Sequence, residues 1–130
     1  MSGITDLATL LASLDPVRRD GEWVYVDTLP AGVVAEASVR EAEGGSFVVA
    51  RADADARGLR YDFVAAWIEL RVHSALEAVG MTAAFATALG RAGIPANVIA
   101  GLRHDHVLVP ADRADDALAA LRGLAGEQDG

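Results

Sequence analysis

The side chains best suited to chemistry in this sequence are its histidines, two of which flank an acid in His104-Asp105-His106. Two histidines two residues apart share one face of a strand, and imidazole and carboxylate groups are common metal ligands. Asp105 would point to the opposite face, however, and a tight turn in which its carboxylate accepts backbone hydrogen bonds is the commoner arrangement. The tripeptide therefore predicts a turn, and we expect neither a metal site nor a cofactor.

The third histidine precedes a serine, as His73-Ser74, which raises the question of an activated nucleophile. Neighbouring residues on a strand point to opposite faces, so this pair does not form a base and nucleophile in any simple way. The sequence also has no glycine-rich phosphate loop, no catalytic spacing of paired carboxylates and no nucleophile elbow. We therefore expect a protein that is not an enzyme.

A more informative segment is the one that leaves a predicted strand and opens a predicted helix, Val79-Gly80-Met81-Thr82. The free N–H groups and the dipole of a helix start can hold a carboxylate, and Gly80 would let the main chain approach a ligand. Glu77 would then offset an α-ammonium group. The alternatives are that Gly80 only makes the entry turn, that Glu77 is a solvated acid, and that Met81 is the first core residue of its helix.

The second half of the chain has the clearer pattern of elements. Residues 66–73 alternate, with Ile68 and Leu70 on one face and Trp67 on the other, as in a strand. An apolar stripe from Met81 to Ala92 predicts a helix that Gly93 ends. Two strands, 96–102 and 107–109, and a last amphipathic helix follow, so residues 66–125 have the order βαββα of a ferredoxin-like unit.

The first half is predicted to be a related unit with one helix fewer. A helix over residues 7–14 should stop at Pro16, and a strand is predicted at Trp23–Val26. A Gly44-Gly45 turn should join an extended stretch to a second arm at 46–50. The residues that follow Val48 resemble those 60 positions later, after Leu108, which indicates an internal repeat. The repeat lacks the helix between its first two strands, and we expect the helix over residues 7–14 to cover the bare face.

The second half also carries a family resemblance. The segments that carry it are Trp67-Ile68-Glu69-Leu70-Arg71-Val72-His73-Ser74, Leu76-Glu77-Ala78-Val79-Gly80-Met81-Thr82-Ala83, Asn97-Val98-Ile99-Ala100 and His104-Asp105-His106-Val107-Leu108-Val109-Pro110. They resemble the ACT-domain superfamily, and in particular small bacterial tandem-ACT proteins akin to CASTOR-type arginine sensors and to aspartate kinase regulatory domains. The resemblance implies an α+β fold of tandem ferredoxin-like βαββα units, with antiparallel sheets and helices packed on one face. The expected division is 1–63 for the degenerate half, 64–125 for the second ACT domain and 126–130 for a flexible tail.

The resemblance implies a non-catalytic sensor that binds an amino acid between a loop and the next strand. The site residues it implies are Glu77, Val79, Gly80, Met81 and Thr82 of the loop, Asn97, Val98 and Ile99 of the neighbouring strand, and Asp105 for a polar ligand tail. Output would run through a homodimer or an unidentified protein partner. The alternative is a structural or interaction module that keeps the fold and has no ligand.

Charge and composition exclude other classes. The formal net charge is −8 and every basic residue is arginine, so the chain should repel a phosphate backbone and we expect no nucleic-acid partner. No apolar run is long enough for a membrane span, and there are no cysteines for disulfides. A cytoplasmic protein without a membrane partner is the expectation.

Overall fold

The chain contains both helices and strands, and four consecutive strands make up most of its first half. The structure is a computed structural model that describes residues 7–72 and 80–129. Its helices and strands, in chain order, are α1 (Leu7–Ala12), β1 (Asp15–Arg18), β2 (Trp23–Val26), β3 (Ala37–Glu41), β4 (Gly44–Ala50), α2 (Arg51–Ala56), β5 (Val64–Arg71), α3 (Met81–Arg91), β6 (Asn97–Ala100), β7 (Asp105–Pro110) and α4 (Ala114–Asp129), the last preceded by a 3-10 turn.

The strands form one antiparallel sheet that joins the two halves. Its order is β3-β4-β2-β5-β7-β6, with β1 as a further partner of β5. β5 is long enough to pair with two strands along one edge. β2 pairs with its first residues, Val64 and Ala65, and β1 pairs with its last residues, from Ile68 to Arg71. The α+β fold with antiparallel pairing that the sequence predicts is confirmed.

One face of the second half carries the main core. Ile68 and Leu70 are fully buried on this face, against Phe85 and Leu89 of α3 and Leu121 of α4. Trp67 lies in a different cluster on the opposite face, so the predicted alternation along β5 is confirmed. The apolar residues of α3 and α4 are buried because each helix packs its apolar side against the sheet.

The first helix does not cover the face for which it was predicted. Leu10, Leu11 and Leu14 belong to the core of the second half, where α1 packs against α4. Pro16 is not only a stop, since it lies in β1 opposite Leu70. The reason is that β2 leaves most of one edge of β5 unpaired, and the N-terminal residues supply the missing strand. Residues 7–18 therefore belong to the second half in the folded structure, to which they add one helix and one strand.

The first half lacks a helix between its first two strands, as the repeat predicted. Residues 27–36 connect β2 to β3 without one. Val24 and Val49 instead bury against Ala54 of α2 and against Val33 of that connection. This half therefore has a smaller core than the second half.

Two predicted turns are wrong. The hairpin turn lies at Ala42–Glu43, and Gly44, with φ 133°, is the first residue of β4. His104-Asp105-His106 does not form a turn, because β7 already begins at Asp105. The backbone at the C-terminus is helical as far as Asp129, and the flexibility predicted for residues 126–130 stays a prediction.

The helix-free face of the sheet carries an aromatic cluster. Trp67 is 3% exposed, and its ring lies edge-on to Trp23, with 5.2 Å between the centroids. The Arg19 guanidinium lies over both rings, 4.5 Å from the Trp67 centroid and 5.0 Å from that of Trp23. The sequence predicted burial against a second sheet or subunit, but these indoles are covered from within the chain.

Candidate functional site

An open cleft of about 1470 Å³ lies beside the sheet in the described residues. It is bounded by the end of β2, by β4, by the segment between α2 and β5, and by the first residue of β6. Its lining residues are Tyr25, Val26, Asp27, Thr28, Ser46, Asp55, Gly58, Leu59, Arg60, Tyr61, Asp62, Phe63 and Asn97. All of these except Asn97 come from the first half or from its connection to β5. Asn97 comes from the second half, so both halves contribute to the lining.

The segment of residues 58–63 forms one wall of the cleft, and its side chains alternate in burial. Leu59 and Tyr61 pack against the small core of the first half, and Phe63 packs against the aromatic cluster. Arg60 and Asp62, between them, are exposed. The apolar residues hold the backbone against the protein, so the two charged side chains project from a fixed support.

A hydrogen-bond network fixes the same wall to α2. The Tyr61 hydroxyl donates to Asp55 at 2.6 Å and accepts from Nε of Arg51 at 3.0 Å. Arg51 also donates to Glu22 at 2.8 Å, just before β2. The hydrogen bonds to Glu22 and Tyr61 raise the pKa of Arg51 above its ordinary value, so the guanidinium stays charged. This network ties the segment to both α2 and the start of β2.

Aromatic side chains line part of the cleft. The ring centroids of Tyr25 and Phe63 lie 6.4 Å apart, and the two ring planes are tilted by 32°. Burial raises the pKa of the Tyr25 hydroxyl, so it remains a neutral group that can donate a hydrogen bond. Thr28 and Ser46 add polar atoms to the lining of the cleft. The arrangement suits a small molecule with both polar and apolar parts.

Among the predicted site residues, Asn97 lies in the cleft and the described part of the loop does not. Asn97 is exposed at the first position of β6, opposite Leu108. Gly80 and Met81 lie on the helix side, where Met81 is 4% exposed within the main core and Gly80 borders a groove between α1, α3 and α4. Thr82 is exposed in the first turn of α3. The structure therefore does not bring Asn97 together with these loop residues.

Gly80 has a local structural role. Its φ is 95°, which favours glycine, and a Cβ there would lie 3.0 Å from Cδ2 of Leu7. Leu7 thus already occupies the space in front of it, which agrees with the alternative of an entry turn. Glu77 and Val79 lie outside the described residues, as does the His73-Ser74 pair, and a contact of this loop with a ligand stays a prediction.

The remaining predicted residues lie along β6 and β7. Val98 is 38% exposed, whereas Ile99 packs against the aromatic cluster. Asp105 is partly buried opposite Leu70, and burial raises the pKa of its carboxyl despite the opposing effect of His106 and His104. Asp105 and Ala100 pair at the far end of β6 from Asn97, so one small ligand would not contact both ends.

Sequence reasoning missed most of the cleft. Tyr25, Ser46, Arg60 and Asp62 were not predicted as site residues, because they lie in separate elements and form no motif. A usable signal was the alternation of apolar and charged residues from Leu59 to Phe63, which is typical of a segment with one packed and one open side.

Two other kinds of site are absent from the part of the chain that the structure describes. No three histidine, cysteine, aspartate or glutamate side chains there come together so that they could hold a metal ion. None of the helices in residues 7–72 and 80–129 combines the length and apolar character needed to cross a membrane.

Comparison with known families identifies the class of protein. Two family models, both described as an ACT domain, match residues 2–66 and 63–123. Since the matches together span nearly the whole sequence, the chain belongs to the ACT-domain family and has two such domains in tandem. ACT domains are regulatory modules that often bind amino acids. No curated protein matches the chain.

Solved structures support the same fold over most of the chain. A Vibrio cholerae protein of unknown function, described as a possible transport protein, is 42% identical with a TM-score of 0.83, over 95% of this chain and 99% of that one. An Agrobacterium tumefaciens protein is 17% identical with a TM-score of 0.70, over 86% and 89%. The ligand-free regulatory subunit of aspartate kinase from Thermus thermophilus is 12% identical with a TM-score of 0.64, over 84% and 95%. The last two similarities show the fold alone.

Proposed function

We propose that this protein is a non-catalytic regulatory protein that binds a free amino acid in the cleft between its two ACT domains. The observation that carries the proposal is the composition of the cleft wall. Tyr25 and Ser46 come from the first half, and Asn97 comes from the edge strand of the second. A ligand that contacts both halves has unequal affinity for arrangements that differ in their relative position, which is the physical requirement for a regulatory response.

The further parts of this proposal concern assembly and location. A homodimer, or a partner protein not yet identified, would carry the response, and the protein would act in the cytoplasm. Sheets with exposed edge strands tend to pair, and β3 and β6 are both edges of this sheet. We also keep a division near residue 63, with the addition that residues 7–18 pack on the second domain.

A ligand screen tests the proposal directly. Each of the twenty standard L-amino acids is added to the full chain, and thermal stability and calorimetric heats are measured. An amino acid in hundredfold excess over its Kd stabilises a protein by about 2.7 kcal/mol, a change that melting curves detect. Asn97→Ala and Ser46→Ala should weaken the effect, whereas Ser38→Ala, an exposed change on β3 outside the cleft, should not.

The second candidate function is a structural or interaction module with the ACT fold and no ligand. One observation favours it, since Leu7 fills the space beside Gly80, where the family resemblance implied a ligand contact. This candidate predicts flat heats and unchanged melting for all twenty amino acids, with a protein that is folded and oligomeric. Binding of any one of them that depends on Asn97 would exclude it.

A further inference from the structure

Two opposite charges stand side by side on the cleft wall. Arg60 and Asp62 both line the cleft and both are exposed, while Leu59, Tyr61 and Phe63 alternate with them and are partly buried. Two residues of chain span at most about 7 Å, so the backbone supports of the two charges lie close together. The packed neighbours and the Tyr61 network hold these supports in place.

The other acids of the cleft already have partners. Asp27 accepts a hydrogen bond from Thr28 at 3.2 Å. Asp55 accepts one from Tyr61 and lies 3.7 Å from the Arg51 guanidinium. The side chains of Arg60 and Asp62 form no hydrogen bond or ion pair with any residue of 7–72 and 80–126, and none with each other.

We propose that Arg60 and Asp62 bind the two charged groups of a free α-amino acid, Arg60 the carboxylate and Asp62 the ammonium. This inference rests on the proposed function and adds the residues that recognise the ligand head group. Guanidinium groups bind carboxylates through two parallel hydrogen bonds, and an ammonium group donates to a carboxylate. A head group with both charges satisfies both side chains at once.

The rest of the cleft agrees with this orientation. With the head group at residues 60 and 62, the ligand's side chain extends toward Tyr25 and Phe63 of the cleft lining, whose ring centroids lie 6.4 Å apart. Asn97 also lines the cleft and offers both a donor and an acceptor. The ligand class that follows is the zwitterionic α-amino acid, rather than a simple amine or a simple carboxylic acid.

The test compares each amino acid that binds with two of its derivatives. The methyl ester lacks the carboxylate charge, and the N-acetyl derivative lacks the ammonium. Affinity is measured by calorimetry on the full chain. Since exposed ion pairs contribute modestly, we expect each derivative to bind about fivefold more weakly than the parent amino acid to the unmodified protein.

Charge-neutral variants identify the partner of each group. Arg60→Gln should remove the preference for the parent over its methyl ester but keep the preference over the N-acetyl derivative. Asp62→Asn should do the reverse. The matched controls are Arg40→Gln on the edge of β3 and Asp20→Asn between β1 and β2, which are exposed and lie outside the cleft. These controls should keep both preferences, and the melting temperatures of all four should match that of the unmodified protein.

The outcomes separate this inference from the proposed function. If an amino acid binds but the two variants keep both preferences, Arg60 and Asp62 do not recognise the head group and the inference is wrong, while the proposed function stands. If neither derivative binds more weakly than the parent, the inference is also wrong. If none of the twenty amino acids binds the folded protein, both the proposed function and the inference are wrong.

Discussion

The indole Nε1–H of Trp67 donates a hydrogen bond to Nδ1 of His106 at 3.0 Å. An indole has no acceptor, so this bond requires a His106 whose Nδ1 carries no proton. Burial lowers the pKa of His106, and the nearby charges of Arg19 and His104 lower it further, while Glu69 and Asp105 oppose them. The neutral imidazole is therefore the form that the folded aromatic cluster holds.

This bond predicts a specific loss of stability in acid. In the unfolded chain His106 takes up a proton near its ordinary pKa of about 6.5, whereas in the folded chain it does so only at lower pH. A lowered folded pKa contributes stability above about pH 6.5, and that contribution is lost as pH falls toward the folded value. Urea unfolding at a series of pH values between about 8 and 5 measures it.

The variant that tests the loss of stability in acid is His106→Gln. Its side-chain oxygen can accept the hydrogen bond from Trp67, and the amide does not titrate. Its stability should depend less on pH over this interval than that of the unmodified protein. Val39→Ala, on β3 at 61% exposure, changes no titrating group and should keep the original dependence. An unchanged slope in the His106 variant would show that this imidazole does not set the acid response.

Truncation of Trp67 should lower stability strongly. Trp67 is 3% exposed and touches Trp23, Arg19 and His106, so Trp67→Ala should lower the free energy of unfolding by about 3–5 kcal/mol. Chemical denaturation gives the value. Val39→Ala on β3, at 61% exposure, is the control and should change stability by no more than about 0.5 kcal/mol. Equal effects at the two positions would contradict the burial of the indole.

The N-terminal helix is expected to stabilise the second domain. Leu10 is fully buried among α3 and α4 residues, so Leu10→Ala should cost about 2–5 kcal/mol. A chain that begins at Arg19 lacks both α1 and β1, and we expect it to be unfolded or aggregated because the edge of β5 and its core are uncovered. Circular dichroism and size-exclusion chromatography of this shortened chain check the prediction. A folded, monodisperse product would show that residues 7–18 are dispensable.

Periodic, local features of the fold followed from the sequence. The alternation of Ile68 and Leu70 with Trp67 placed β5 and its two faces, and the stripe from Met81 placed α3. Gly93 ends that helix with φ 72°, as its position after the stripe predicted. These features depend on neighbours in the chain, and local spacing encodes them.

Features that depend on distant residues did not follow from the sequence. The pairing of Pro16 with Leu70 joins segments more than fifty positions apart, and nothing near Pro16 indicates which edge it will meet. Most of the candidate site was missed for the same reason. Asn97 was named, but its meeting with Tyr25 and Arg60 results from the sheet order, which local patterns do not encode.

The hydroxyl of Tyr61 should matter for binding more than for stability. Tyr61→Phe removes the hydrogen bonds to Arg51 and Asp55 that hold the cleft wall, at a cost of about 1 kcal/mol in unfolding free energy. Because the supports of Arg60 and Asp62 then become less fixed, we expect a larger loss of affinity for the amino acid. Calorimetry and urea unfolding on the same preparation compare the two effects. A loss of stability without any loss of affinity would contradict this role.

The most direct test of amino-acid binding between the two domains is a nuclear magnetic resonance titration of the ¹⁵N-labelled full chain. The amino acid that most stabilises the protein is the titrant, and backbone amide shifts are followed residue by residue. Binding in the cleft predicts that the amides of Arg60 and Asp62 in the first half and of Asn97 in the second shift together, with one common Kd. Shifts confined to the start of α3 around Gly80 and Thr82, or no shifts with any of the twenty amino acids, would contradict it.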